Sequence, residues 1–169
     1  MKALKIIIVA ILALIVFFFL TGIFVPTVQY SNTIEIVAPP EKCWQVLHDT
    51  SRMANWMDGF KSLELQSGQP LEAGSTYQIV IEQGERMVMH EELKEIRENE
   101  FVAFELNNDM LKSEFSYTLE PSGNGTRITT QYQVTGKNLL WKSVFALSSS
   151  YFSESDEKML QGLKRTIEE

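Results

Sequence analysis

Twenty consecutive residues from Ile6 to Val25 carry no charge, and this run constrains the chain more than any other feature of its sequence. Lys2 and Lys5 precede the run, and Pro26 follows it. At a rise of about 1.5 Å per helical residue, twenty residues span roughly 30 Å, the thickness of the hydrocarbon core of a bilayer. The run is therefore predicted to be a transmembrane helix that anchors the rest of the chain.

Two other interpretations of this run are a cleaved secretory signal and a buried core helix. The apolar region of a signal is usually about 7 to 15 residues long and ends in small residues at a cleavage site, whereas bulky Phe17 to Leu20 lie near the end of this run. A helix in the core of a small domain would have a polar face, and this run is apolar on every side. We favour the anchor and keep the cleaved signal as the main alternative.

The charges on the two sides of the run predict its orientation. Lys2 and Lys5 lie before it, whereas Glu35 and Glu41 are the first charges after it. The positive-inside rule then predicts a cytoplasmic N-terminus and a domain that is periplasmic or extracellular. The predicted organisation is a cytoplasmic stub at 1–5, a transmembrane anchor at 6–25, a linker at 26–31 and a folded domain at 32–169.

Net charge excludes one class of partner. The two lysines before the run are the only charges in the first 25 residues, so the rest of the chain holds all 22 acidic residues and 13 of the 15 basic ones, a net charge of −9. Nucleic acid is not an expected partner, because binding a phosphate backbone needs a basic surface. The same acidity is expected to repel an anionic lipid surface. The single cysteine, Cys43, cannot form an internal disulfide and leaves the redox compartment open.

The folded domain has alternating apolar and polar segments separated by turn residues, which predicts an antiparallel sheet rather than βαβ units. Two short helices, Pro40 to His48 and Arg52 to Met57, are predicted after the first strand. One long amphipathic C-terminal helix is predicted from Asn138, its N-cap, to Glu168, with Leu140, Val144, Leu147 and Tyr151 at helical spacing. The predicted strands are 33–37, 62–66, 76–83, 86–96, 100–107, 112–120 and 126–134.

The segment from Ile34 to Leu47, IEIVAPPEKCWQVL, followed by Trp56, resembles the opening of the SRPBCC superfamily, the START and Bet v 1-like proteins that include the polyketide cyclase/dehydrase family. The segment GNGTRIT from Gly123 to Thr129 also resembles that superfamily. The resemblance implies an α+β helix-grip (Bet v 1-like) fold, with a seven-stranded antiparallel sheet around a long C-terminal helix, here preceded by one transmembrane helix. Members bind lipids, sterols, polyketides or hormones, and some of them are enzymes.

Proteins of this superfamily carry a cavity between the sheet and the long helix, so inward-facing side chains are the candidate ligand-binding residues. The alternative is that these side chains fill a solid core. Their polar members favour a cavity, since those groups would be unpaired in a dry interior. Strand alternation and helical spacing assign the following residues to this face: Tyr77, Ile79, Ile81, Met87, Met89, Phe115, Tyr117, Thr130, Tyr132, Phe145 and Phe152.

No complete catalytic set is visible, and Glu91 is the one weak catalytic candidate. If Glu91 faces the cavity, apolar surroundings would raise its pKa and allow general acid or base chemistry on an enolisable ligand. The competing expectation is that His90 faces inward and Glu91 outward, because adjacent strand residues point to opposite faces. The two cannot share one metal site for the same reason, and no metal site or cofactor is predicted.

The predicted function is that of a membrane-anchored helix-grip domain that binds a hydrophobic small molecule or lipid between the sheet and the C-terminal helix. Its expected partners are that ligand and, through residues 6–25, the membrane. A binding role is favoured over an enzymatic one. Two alternatives stay open: a polyketide cyclase/dehydratase-like enzyme that uses a cavity acid and tyrosines, and a protein-interaction or regulatory domain without a ligand.

Overall fold

A computed structural model describes residues 2–169. The chain begins with a long helix and ends with two, and seven strands lie between them. A single 3₁₀ turn, Met53–Asn55, replaces the second of the two short helices predicted after the first strand. In chain order the elements are α1 (Lys2–Phe24), β1 (Thr27–Ile36), α2 (Pro40–His48), the 3₁₀ turn, β2 (Phe60–Ser67), β3 (Thr76–Gln83), β4 (Glu85–Arg97), β5 (Phe101–Asn107), β6 (Leu111–Ser122), β7 (Gly125–Gly136), α3 (Leu139–Leu147) and α4 (Ser149–Glu168).

The seven strands form one sheet in the order β1-β7-β6-β5-β4-β3-β2, with every neighbouring pair antiparallel. Helix α4 packs against the sheet beside β1, and hydrogen bonds from Asn32 and Lys164 tie the two elements together. The predicted α+β helix-grip fold is therefore confirmed. Its main core joins the inner face of the sheet to α2 and α4 through Ile36, Trp44, Leu93, Val102, Ile128, Leu160, Leu163 and Ile167.

β1 begins at Thr27, within the segment 26–31 that was predicted to be a linker. Residues 27–31 pair with β7 in continuous register, from Thr27 opposite Thr135 onward. Polar side chains hold this pairing, including a 2.9 Å hydrogen bond between the hydroxyls of Thr27 and Thr135. A search for alternating apolar residues misses this first part of the strand, because Val28 is the one buried apolar residue among residues 27–31. Only Val25 and Pro26 separate α1 from the sheet.

The predicted long C-terminal helix is wrong as a single element, because it is broken at Ser148 into α3 and α4. Asn138 caps α3 as predicted, accepting a 3.0 Å hydrogen bond from the backbone N–H of Trp141. The predicted inward stripe differs as well, since Leu140, Leu147 and Tyr151 are 49%, 55% and 63% exposed. Ser143 and Phe145 are the buried residues of α3 instead.

α3 turns a different face inward because it packs against α1 as well as against the sheet. Gly22, the one buried residue of α1, lies against Ser143 of α3. A Cβ atom on Gly22 would lie 2.6 Å from the backbone nitrogen of Ser143, so the close approach requires glycine. The rest of α1 is largely exposed, and by length and composition this helix is suitable for crossing a membrane. A signal sequence near an N-terminus meets the same criteria.

Candidate functional site

A cavity of about 630 Å³ lies between the inner face of the sheet and α4. Strands β1, β3, β4, β6 and β7 line one side of it, the 3₁₀ turn lies at one end, and α4 lines the other side. The cavity is partly open to the outside. The sequence-predicted residues that line it are Ile79, Ile81, Met87, Met89, Glu91, Phe115, Tyr117, Tyr132 and Phe152.

Three of the predicted ligand-binding residues do not line this cavity. The hydroxyl of Tyr77 accepts a 3.1 Å hydrogen bond from the backbone N–H of Leu71, which holds its ring beside the loop after β2. Thr130 is fully buried and bonded to an acidic residue of α4. Phe145 packs in a separate apolar cluster with Val28 and Val134, because α3 bends away from α4 at Ser148.

The sequence prediction also missed several lining residues, of which Asp156 is the most informative. Asp156 occupies the position between Phe152 and Leu160 on the inward stripe of α4, four residues from each. An acid on an otherwise apolar helical stripe is unusual, and this signal was present in the sequence. The other lining residues that were not predicted include Tyr30, Asn55, Met57 and Ser155.

Stacked aromatic rings form one wall of the cavity. The rings of Tyr30 and Tyr132, on paired positions of β1 and β7, are nearly parallel with centroids 4.8 Å apart. Phe115 of β6 extends the stack, with its centroid 5.3 Å from that of Tyr132. Phe152 of α4 faces Tyr30 at 6.4 Å. Offset aromatic pairs of this kind give a broad, rigid apolar surface that suits flat or extended apolar molecules.

Asp156 is the polar centre of the wall formed by α4. Its side chain is buried, and its Oδ2 atom accepts a 2.6 Å hydrogen bond from Thr130 and a 2.8 Å hydrogen bond from the amide of Asn32. Burial raises the pKa of Asp156, and these two donors together with the Tyr132 hydroxyl oppose that rise. The second oxygen, Oδ1, has no hydrogen-bond partner within the described residues. One acceptor site of the carboxylate therefore stays unused.

The three tyrosines near Asp156 act as neutral hydroxyl groups. Burial raises the pKa of Tyr30, Tyr117 and Tyr132 above that of a free phenol, and the negative charge of Asp156 raises it further. None of the three will ionise at physiological pH. They can donate or accept hydrogen bonds to a ligand, but they cannot serve as phenolate bases.

Glu91 faces the cavity from the middle of β4, whereas His90 is exposed on the opposite face. The competing expectation, with His90 inward, is therefore wrong. Glu91 is 7% exposed, and desolvation raises its pKa to about 7. A carboxyl group with this pKa is divided between its acid and its base form near neutrality, which is the condition that general acid–base chemistry requires.

The one cysteine and the histidine of α2 lie away from the cavity. Cys43 is fully buried in α2, and burial raises the pKa of its thiol, so it is not an activated nucleophile. His48 donates a 2.9 Å hydrogen bond from Nδ1 to the carbonyl of Trp44, and burial lowers its pKa. In the described part of the chain, no group of three or more His, Cys, Asp or Glu side chains is arranged to hold a metal ion.

Trp56 adds a second unused polar group at the far end of the cavity. Its indole Nε1–H is buried and has no acceptor within residues 2–169. Trp56 packs on Gly162 of α4, where a Cβ atom would lie 3.1 Å from the Trp56 Cα. The residues around the cavity thus include an unpaired buried donor at Trp56 and an unpaired buried acceptor at Asp156, and the carboxyl group of Glu91 faces the cavity.

Comparison with known proteins gives one family match and many similar structures. The model of the family described as "Polyketide cyclase / dehydrase and lipid transport" matches residues 27–168. None of the curated proteins is similar enough in sequence to count as a match. The family match begins at Thr27, the first residue of β1, and so leaves α1 outside it.

Three of the similar solved structures are between 12% and 22% identical to this chain. Ara h 8.0201 is 18% identical, with a TM-score of 0.65, and the alignment covers 84% of this chain and 95% of that one. TTHA0849 from Thermus thermophilus is 22% identical, with a TM-score of 0.65 and coverage of 84% and 97%. BexL, a di-domain ARO/CYC protein of the BE-7585A biosynthetic pathway, is 12% identical, with a TM-score of 0.65 and coverage of 85% and 51%. At these identities the similarity establishes the fold.

Proposed function

Because this chain belongs to the polyketide cyclase/dehydrase and lipid transport family of the SRPBCC superfamily, we propose that it is a membrane-anchored protein that binds a hydrophobic small molecule or lipid. The observation that carries the proposal is the cavity between the sheet and α4. Its volume of about 630 Å³ falls within the roughly 300 to 1,000 Å³ typical of ligand pockets. The candidate ligand-binding residues are those that line it.

The composition of the cavity wall supports an apolar ligand with at least one polar group. Stacked rings of Tyr30, Phe115 and Tyr132 offer apolar surface, and Met87 and Met89 offer flexible side chains that adapt to shape. The Glu91 carboxyl group and the tyrosine hydroxyls around the cavity are polar, and a ligand that hydrogen-bonds to them avoids the free-energy cost of burying them unpaired. A purely aliphatic molecule would leave those groups unpaired.

The anchor is the second part of the proposal. α1 is long and apolar enough to span a bilayer, and it is exposed on most faces, as expected of a helix surrounded by lipid. The proposed organisation is a cytoplasmic stub at 1–5, an anchor at 6–25 and a ligand-binding domain on the far side of the membrane, with the strand β1 starting directly after the anchor. The lysines before α1 support this orientation.

Analysis of the small molecules extracted from the purified protein tests ligand binding. Full-length protein is purified in detergent and its organic extract is analysed by mass spectrometry, alongside Met89→Trp and Val88→Trp. Met89 is buried and lines the cavity, whereas its neighbour Val88 is 40% exposed and points to the outer face. We expect the wild type and Val88→Trp to contain the same apolar molecule and Met89→Trp to contain less of it, because the larger indole ring would project into the cavity and take up part of its volume.

The extraction has two outcomes that would overturn the binding proposal. One is wild-type protein that is repeatedly empty, which would favour an interaction or regulatory domain without a ligand. The other is a folded Met89→Trp variant that retains the molecule in full, which would mean that the molecule binds elsewhere. Circular dichroism and thermal unfolding of both variants check that the fold is intact.

Glu91 favours a second candidate function, an enzyme of the cyclase or dehydratase type. Its pKa of about 7 and its position in the cavity suit removal of a proton from a carbon next to a carbonyl group and its return. The extracted ligand, returned to the protein in D₂O, would then exchange that hydrogen for deuterium. Glu91→Gln should abolish exchange and leave binding nearly unchanged. Exchange that continues at the same rate in Glu91→Gln excludes this role.

A further inference from the structure

The contact between α1 and α3 sets the depth of α3 relative to the proposed membrane span. Gly22, which lies against Ser143, is three residues before Val25, the end of the uncharged run, and Phe18 is seven residues before it. These separations place the two residues about 5 Å and about 10 Å inside the end of the apolar run. Phe18 is partly shielded and Gly22 is buried, one helical turn apart on the same face of α1. α3 therefore packs on a part of α1 that lies within the bilayer if α1 spans it.

The side of α3 that faces away from the protein is apolar. Leu139, Leu140 and Leu147 are 40%, 49% and 55% exposed, although α3 is only nine residues long. Large apolar side chains clustered on one exposed helix face indicate an interaction surface. Trp141, which is partly exposed, and Lys142, the one charged residue of the helix, are of the types that favour the boundary between lipid and water.

Charge along the sequence agrees with contact between this region and lipid. Although the domain is acidic as a whole, no Asp or Glu occurs from Pro121 to Ser153. This stretch contains β7 and α3 and carries the basic residues Arg127, Lys137 and Lys142. The repulsion expected between an acidic domain and an anionic bilayer is therefore weaker at α3 than over the domain as a whole, because α3 and the residues next to it in sequence carry no acid.

We propose that α3 is a membrane-embedded helix, with its exposed leucines in contact with the acyl chains of the leaflet on the domain side. This inference rests on the proposed anchoring by α1. The small side chains Gly22 and Ser143 allow the two helices to approach closely, as small residues do between helices in membranes. A depth of about 5 to 10 Å is the depth at which amphipathic helices lie in the interface.

Embedding of α3 also gives the cavity a direct route to the bilayer. α4 starts at Ser149, directly after the end of α3, and its first turn carries Tyr151 and Phe152. Both residues line the cavity, and Tyr151 is 63% exposed. The end of the cavity formed by these residues is therefore next to the membrane surface. The class of ligand that this arrangement suits is a lipid or another amphiphile that is dissolved in the leaflet, rather than one that arrives through water.

Site-directed spin labelling measures the depth of α3 directly. Full-length variants Leu140→Cys, Leu147→Cys, Val88→Cys and Ile11→Cys are labelled with a nitroxide and reconstituted into phosphatidylcholine vesicles. Cys43 is fully buried and is not labelled in the folded protein. Oxygen, which partitions into lipid, and a water-soluble nickel chelate then report the surroundings of each label. Val88, on β4, is the control for an exposed apolar residue far from α1, and Ile11 lies in the middle of the proposed span.

We expect labels at Leu140 and Leu147 to be accessible to oxygen and protected from nickel, and the label at Val88 to show the reverse. Water-exposed labels at Leu140 and Leu147 together with a lipid-exposed label at Ile11 would overturn the inference and leave the anchor intact. A water-exposed label at Ile11 would overturn both. Labels at Leu140 that are protected from both reagents and couple to each other would mean that α3 contacts a second copy of the chain, and this too would overturn the inference.

Discussion

Thr130 of β7 donates a 2.6 Å hydrogen bond to the carboxylate of Asp156 in α4, joining the sheet to the helix beside the cavity. Both residues are buried, and Asn32 of β1 donates to the same oxygen at 2.8 Å. Removing a donor from a buried carboxylate is destabilising, because the charge then has fewer partners in a site without water. This contact therefore fixes the position of α4 across the cavity and determines which way the free oxygen Oδ1 is directed.

Replacing Asp156 by alanine should destabilise the protein more than replacing it by asparagine. Alanine leaves Asn32 and Thr130 without their buried acceptor, and the unfolding free energy should fall by about 2 kcal/mol. Asparagine keeps an acceptor oxygen and should cost less than half of this. Denaturant unfolding of the full-length protein in detergent measures both values, with Glu157→Ala as an exposed control next to it in α4.

An Asp156→Ala variant as stable as Glu157→Ala would contradict the assigned network. The asparagine variant also separates stability from ligand recognition. If the ligand donates a hydrogen bond to Oδ1, Asp156→Asn should weaken binding of the extracted molecule at least tenfold while changing stability little.

Glu91 should make stability depend on pH between about 4.5 and 7. Burial raises the folded pKa from its ordinary value of 4.5 to about 7, so in this range the folded state holds a proton that the unfolded state has lost. Stability then falls as the pH rises, by about 3 kcal/mol in total, and stays lower above pH 7. Glu91→Gln should lack this loss and be the more stable protein at pH 8.

Unfolding free energies at pH 4.5, 6 and 8 test this dependence. Glu85→Gln, at the exposed start of the same strand, is the matched control and should follow the wild type. If the wild type and Glu91→Gln show parallel pH profiles, the burial of Glu91 does not raise its pKa in solution, and the enzymatic candidate loses its main support.

Gly22→Leu should separate α3 from α1. A side chain at this position would meet Ser143, whose backbone nitrogen lies 2.6 Å from the added Cβ. Excess volume in a packed contact typically costs about 1 to 3 kcal/mol. Thermal unfolding in detergent should show a lower midpoint for Gly22→Leu than for Ala13→Leu, which adds bulk to an exposed position of the same helix. Equal midpoints would mean that the two helices do not pack in this way.

The sheet was predictable from sequence because most of its strands alternate clearly and are separated by turn residues. β3 was predicted with both of its ends, Thr76 and Gln83, and its inward residues Ile79 and Ile81 line the cavity. β1 was shortened in the prediction because its first half has polar residues paired through hydroxyl and amide groups. Such pairing depends on the partner strand β7, which is about a hundred residues away in the sequence. The sequence pattern of β1 alone therefore does not show it.

The division between α3 and α4 could not be predicted from periodicity. Leu140, Val144, Leu147 and Tyr151 keep helical spacing across Ser148, so the pattern gives no sign of the break. The inward face of α3 depends on α1, which lies more than a hundred residues earlier in the chain. Asp156 was missed for a different reason: an acid was not expected on an apolar stripe, although its position there is what makes it informative.

The break at Ser148 separates α3, which packs on α1, from α4, which carries Asp156. α4 has 20 residues and is about 30 Å long. Were it continuous with α3, a tilt of about 10° imposed on α3 would move the far end of α4 by about 5 Å, given that length. Because the helix is interrupted at Ser148, such a tilt would bend the chain there instead of moving α4 as a whole. If α1 spans a bilayer as proposed and tilts with it, the two hydrogen bonds that Asn32 and Thr130 make to Asp156 can then stay intact.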